Sequence, residues 1–217
     1  MLRMFRLMLC LIAMGLGGRA TASCVHPEID ELLKESRTDI QFEGSYFPSP
    51  AAQFLPSRID SQDVQWVGAS WEGPVGGAIF LLDCHGKKIT ARNLGAVKQL
   101  HAGPVLKAGP TVEITYIPGT ATGEISSNVA LALFDGASIK ILWDHLVSDS
   151  VEMPRVEYDD GFEWRYSADG QAIEVTGRRK VGAARDATFG WAAGTTHSLP
   201  KETYCWNGPE GKFSPCK

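Results

Sequence analysis

The clearest hydrophobic pattern in the chain is the stretch from Val129 to His145, VALALFDGASIKILWDH, where two apolar runs flank Asp135-Gly136. A side-chain period of two on either side of a dipeptide that accepts positive φ predicts a β-hairpin. In the first run Val129, Leu131 and Leu133 point one way, and Ala130, Ala132 and Phe134, also apolar, point the other. That strand is expected to be covered on both faces and to lie inside a sheet. In the second run Ile139, Ile141 and Trp143 share a face while Lys140 and Asp144 turn outward, and Leu142 interrupts the alternation.

The same grammar occurs three times. LLDCHGKKITAR, LALFDGASIKIL and WRYSADGQAIEV each place an apolar or aromatic strand before a turn glycine and begin the return with Ile. Their glycines, Gly86, Gly136 and Gly170, are 50 and 34 residues apart, too uneven for a repeat array but suited to stacked antiparallel hairpins. Other strand patterns run from Val64 to Ser70, Ala78 to Cys84, Lys88 to Asn93, Val97 to Leu106 and Thr111 to Ile117. Ala78 to Leu82 is apolar on both faces, the mark of a central strand. Pro27 to Ile40 reads as a helix, with Glu28, Asp30 and Glu31 at its positive end and a narrow stripe of Ile29, Leu32 and Leu33 that would cap a sheet edge. Phe42 to Ile59, with Pro48, Pro50 and Pro56, reads as an extended loop, and Glu157 to Gly161 as a solvated turn. The expected fold is mostly β: an antiparallel meander of stacked hairpins, sandwich or partial propeller-like, with one short N-terminal helix, in a single domain over 23–217.

The hairpins, with the ending Tyr204-x-Trp206-x-Gly208 and Phe213-x-Pro215, resemble uncharacterised bacterial exported proteins built from propeller-like hairpins that end in a Tyr-x-Trp-x-Gly-x-x-Phe motif. The resemblance covers roughly the last two thirds of the chain and implies fold; no active site is carried over from it. This chain departs from the pattern by placing Cys205 and Cys216 around the motif.

The first 22 residues alter the count of everything else. Arg3 and Arg6 precede an apolar run from Leu7 to Leu16, and Ala20-Thr21-Ala22 offers small residues for cleavage, the layout of a secretory signal. The run is shorter than the roughly 18 apolar residues of a spanning helix. A lipoprotein signal ending at Cys24 is the less favoured alternative, because Thr21 stands where a branched apolar residue is expected. Cleavage would also remove Cys10 and leave an even set, Cys24, Cys84, Cys205 and Cys216, in an oxidising periplasmic or extracellular compartment. Cys205 and Cys216 flank a run of turn formers from Asn207 to Lys212 and are expected to pair across a hairpin, which leaves Cys24 for Cys84.

Cleavage deletes Arg3, Arg6 and Arg19, so 21 basic residues become 18 against 25 acidic ones and the net charge moves from −4 to −7. An acidic chain whose longest basic run is Arg178-Arg179-Lys180 argues against nucleic acid and anionic membrane surfaces as partners.

Catalytic patterns are not matched. Gly68-Ala69-Ser70-Trp71-Glu72-Gly73 carries the second glycine one place late for a nucleophile elbow. No two of His26, His85, His101, His145 and His197 stand at helical ligand spacing, and no cofactor is expected. Asp83 with His85, or Asp144 with His145, read as polar strand ends. Paired carboxylates for glycan hydrolysis, among Glu72, Glu113, Glu124 and Glu163, carry no mark that selects a pair. Six Trp residues are more suggestive, and Trp66 and Trp71, flanking a Gly-rich corner, are the candidate partner-binding pair. The functional expectation is an exported non-catalytic binding module for a protein or glycan partner in the cell envelope: an inhibitor, immunity-type or assembly partner. The alternative is an envelope hydrolase acting on glycan or peptide through unmarked carboxylates.

Overall fold

The computed structural model describes residues 24–35, 51–70, 76–118, 120–121, 124–153, 156–182 and 195–216. The expected signal at 1–22, the second half of the expected helix and Trp71 lie outside the described residues.

The described chain is mostly β, in two antiparallel sheets with one short helix, α1 (Ile29–Glu35). The first sheet is a meander in chain order of β1 (Ala51–Ile59), β2 (Gln62–Ser70), β3 (Gly77–Asp83) and β4 (Lys88–Asn93). The second contains β5 (Ala96–Leu106), β6 (Gly109–Ile117), β7 (Thr120–Ala121), β8 (Glu124–Phe134), β9 (Ile139–Met153), β10 (Val156–Tyr166), β11 (Ala172–Gly182), β12 (Thr195–Ser198), β13 (Glu202–Asn207) and β14 (Lys212–Pro215). Its order is β14-β13-β11-β10-β9-β8-β6-β5, with β7 against β8 and β12 against β11.

Three hydrophobic layers follow from the two-residue side-chain period. Between the sheets lie Val64 and Trp66 of β2, Ile79 and Leu81 of β3, Val97 and Leu100 of β5, Val112 and Ile114 of β6, and Ala130 and Ala132 of β8. The opposite face of β8 carries Val129, Leu131 and Leu133, packed with Ile173 and Val175 of β11 and Phe213 of β14. The larger sheet therefore curls back over itself. β10 makes the turn: it pairs with β9 as far as Gly161 and beyond that with β11 alone. The third layer lies on the outer face of the small sheet, where Leu32 and Leu33 of α1 cover Val67, Ala69, Ala78, Phe80 and Leu82. The helix caps a sheet face, not the expected edge, because β2 and β3 are apolar on both sides and the outer side also needs cover.

The three hairpin turns share one device. Gly86, Gly136 and Gly170 have φ of 83°, 94° and 68°. Before each, an Asp carboxylate accepts backbone N–H groups across the turn: Asp83 from His85 and Lys87, Asp135 from Ala137 and Ser138, and Asp169 from Gln171. These N–H groups hold the carboxyls of Asp135 and Asp169 below the usual carboxylate range, Asp169 helped first by the Ser167 hydroxyl. Asp83 with His85 is thus turn chemistry.

Both cysteine pairs sit at disulfide distance, Cys24 with Cys84 and Cys205 with Cys216, with Cα separations of 4.3 Å and 5.1 Å. The first bond, together with hydrogen bonds from Val25 N to Cys84 O and from Gln65 Nε2 to Val25 O, straps the segment before α1 across the small sheet.

Three expectations are corrected. Residues 51–59 are strand β1, not loop; Pro56 is tolerated because β1 is an edge strand whose outward N–H has no ladder partner to lose. Residues 157–161 are strand, not a solvated turn, and Asp160 is buried there with a bidentate Arg179 at 2.7 Å and 2.6 Å. Trp143 does not share a face with Ile139 and Ile141. The β8–β9 register steps from Ala132↔Ile141 to Leu131↔Trp143, leaving Leu142 as the extra residue of a bulge.

Candidate cleft at the seam of the two sheets

That bulge decides where β9 sends its polar side chains. Uninterrupted alternation would send Trp143 between the sheets and Asp144 to the other face. With Leu142 inserted, Trp143 pairs with Leu131 and enters the curled core, while Asp144 pairs with Ala130 and faces the space between the sheets. His145, opposite Val129, points to the curled core again, so Asp144 and His145 sit on opposite faces and form no common site.

Asp144 lines a cleft of about 530 Å³ where the end of β4 and the start of β5 meet β6 and β9. Arg92, Asn93, Leu94, Tyr116, Pro118 and Ile141 complete its walls, and Gly76, Gly77 and Gly95 its floor. The floor is backbone against backbone. A Cβ on Gly77 would lie 2.0 Å from Gly95 O, and one on Gly95, whose φ is 71°, would lie 2.1 Å from Ile117 O. Glycine at 77 lets β3 of the small sheet approach the start of β5 this closely, and glycine at 95 lets β5 begin close against β6 of its own sheet.

The polar groups form a chain. Tyr116 OH donates to Asp144 Oδ2, and Asn128 Nδ2 donates to Asp144 Oδ1 at 2.8 Å. Arg92 crosses from the small sheet to donate from Nη1 to Ile139 O at 2.9 Å. Burial, then the hydrogen bond and the negative charge of Asp144, push the Tyr116 phenol well above its ordinary range, with Asn128 and Arg92 pulling the other way. Near neutral pH Tyr116 is therefore a protonated donor that aims the Asp144 carboxylate. Among the described residues Arg92 and Asp144 share no ion pair, so one cation and one anion face the cleft unneutralised by each other.

A second groove, of about 750 Å³, runs along β10, β11 and β12. Its charged lining is Asp159, Glu163, Arg178 and Lys180, with Arg178 paired to Glu163 at 3.1 Å through side chains 70% and 69% exposed. Such a pair is screened sheet surface and holds nothing in place.

The sequence candidates fare differently. Trp66 is 1% exposed, wedged between the sheets with Ile79 and Leu81, and presents no ring face to a partner. Trp71 lies outside the described residues. Glu113 is half-buried on the curled side of β6, accepting from Trp164 Nε1 at 2.8 Å and Tyr166 OH at 2.5 Å. Glu163 stands apart in the outer groove, and Glu72 and the side chain of Glu124 lie outside the described residues. Sequence reasoning missed Arg92, Tyr116, Asn128 and the role of Asp144; the one signal was Leu142 breaking the alternation.

At the far end of the curled core, His145 Nε2 lies 3.3 Å from Glu202 Oε2, which also accepts from Tyr204 OH. Its Tyr204 bond, aided by His145, holds the Glu202 carboxyl below the usual range, and burial with that carboxylate pushes Tyr204 up to about 12. Rings of Trp143, Phe162 and Tyr204 surround the imidazole at centroid distances of 5.2 to 5.8 Å, so this group closes the core.

Among the described residues no three His, Cys, Asp or Glu side chains converge as a metal site, and no helix is long and apolar enough to cross a membrane. Compared with protein-family models, curated proteins and solved structures, the chain matches none.

Proposed function

We propose that the protein is an exported, non-catalytic binding module of the cell envelope, and that its partner seats in the cleft at the seam of the sheets. The observation that carries this reading is the Tyr116–Asp144–Asn128 chain opposite Arg92: a carboxylate aimed by two donors and a cation held by a backbone carbonyl, both opening into one cleft. Such a preformed polar set on rigid strands suits recognition, since its groups are ordered before a ligand arrives. Two cysteine pairs at disulfide distance and the signal-like N-terminus support export.

The test uses protein purified from the periplasm of an exporting host, immobilised and incubated with a bacterial envelope extract. A component retained by the native protein and lost with Asp144→Ala is the expected result. Release of soluble glycan or peptide fragments, abolished by carboxylate substitutions, would overturn the binding reading in favour of an envelope hydrolase.

A further inference from the structure

Resting on that reading, we infer that the cleft binds an uncharged saccharide, one ring hydroxyl donating to Asp144 and its neighbour accepting from Arg92. Size comes first. A concave site of about 530 Å³ falls within the span of small-ligand pockets, roughly 300 to 1,000 Å³. A protein partner would instead need a surface of about 800 Å² on each side.

Polarity comes second. Asp144 only accepts and the guanidinium only donates, so their complement is a ligand that both donates and accepts. Vicinal hydroxyls do both without charge. Arg92 disfavours an amine, and Asp144, within an acidic chain, disfavours a carboxylate or phosphate. A charged ligand would gain one partner and meet repulsion from the other. Leu94, Ile141 and Pro118 supply apolar wall for the C–H face of a sugar ring, and the glycine floor leaves room for the ring to approach backbone.

The experiment is an NMR titration of the ¹⁵N-labelled exported protein with chitotriose, cellotriose and maltotriose as neutral probes and trigalacturonate as the acidic one. At least one neutral trisaccharide is expected to shift the amides of Asn93, Leu94 and Ile117, with affinity reduced about tenfold or more by Asp144→Ala and by Arg92→Met. Asn93→Ala, an exposed change at the rim, provides a variant whose folding is not in question, and it too should weaken binding. The inference fails if no neutral probe moves these amides at about 10 mM, if trigalacturonate binds as well as they do, or if affinity is unchanged in all three variants. Asp144-dependent envelope capture without trisaccharide binding would remove the saccharide and leave the binding module. Trisaccharide binding without envelope capture would keep the saccharide site and remove the envelope component as its source.

Discussion

Two carboxylates on either side of one sheet accept from a tyrosine, and they do different things. Glu113 projects from β6 into the curled core, where Trp164 and Tyr166 of β10 close over it. Asp144 projects from β9 to the opposite face, where Tyr116 and Asn128 aim it but leave it open to a cleft. The bonding is alike; the enclosure differs. Where both ends are covered by protein, the cluster is a rivet between layers, and where one end is open, the same chemistry becomes a place for a ligand.

The largest effect should come from the floor that keeps the open cluster open. Gly95→Ala sets a Cβ against Ile117 O from a backbone conformation that disfavours it, and should cost about 4 kcal/mol, read by urea denaturation. An effect under about 1 kcal/mol would mean that the seam is slack.

Next is the rivet. Glu113→Ala strands the Trp164 and Tyr166 donors inside the protein and should cost about 3 kcal/mol, leaving the affinity of the folded fraction for its partner unchanged. A variant that loses partner affinity at full occupancy of the folded state would erase the distinction between the clusters.

Alkaline pH probes both at once. Burial, and then the hydrogen bond from its hydroxyl to Glu113, hold the Tyr166 phenol well above its ordinary range, as burial and Asp144 do for Tyr116. A raised phenol contributes stability that is complete below about pH 10 and is lost as pH rises further, because the unfolded chain sheds a proton that the folded one retains. Stability should therefore fall above about pH 10, and Tyr166→Phe and Tyr116→Phe should each flatten that limb in pH-dependent thermal melts. Tyr204, pushed up to about 12 by burial and Glu202, adds to the same limb over about pH 10 to 12.

The smallest difference separates the cysteine pairs. In the chain-entropy model, opening Cys24–Cys84, 60 residues apart, should cost about 4 kcal/mol and opening Cys205–Cys216, 11 apart, about 3. Paired Ser variants, compared by denaturation, should differ by about 1.5 kcal/mol.

Local chemistry made much of the scaffold legible. Asp135-Gly136 and its two counterparts announced their turns because a positive φ and an Asp acceptor are properties of adjacent residues. The Cys205–Cys216 pairing was readable from the turn formers between them. The strand β1 was hidden by Pro56, whose cost vanishes only at an edge, and edge position is a property of the whole sheet. Trp66 looked like a surface anchor because its strand could place it on either face, and burial follows from what the second sheet brings to it. The cleft was least legible. Arg92, Tyr116, Asn128 and Asp144 come from four strands, and Asp144 joins them through a register step at Leu142 that is defined by β8 as much as by β9.

The most direct measurement compares Asp144→Asn with Glu113→Gln, recording for each the Tm and the affinity for the envelope partner. Asp144→Asn should lower affinity about tenfold or more with Tm within about 3 °C of the native protein. Glu113→Gln should keep native affinity while Tm falls by about 6 °C. Equal losses of affinity in the two variants, or native affinity in Asp144→Asn, would contradict the distinction between the two carboxylates.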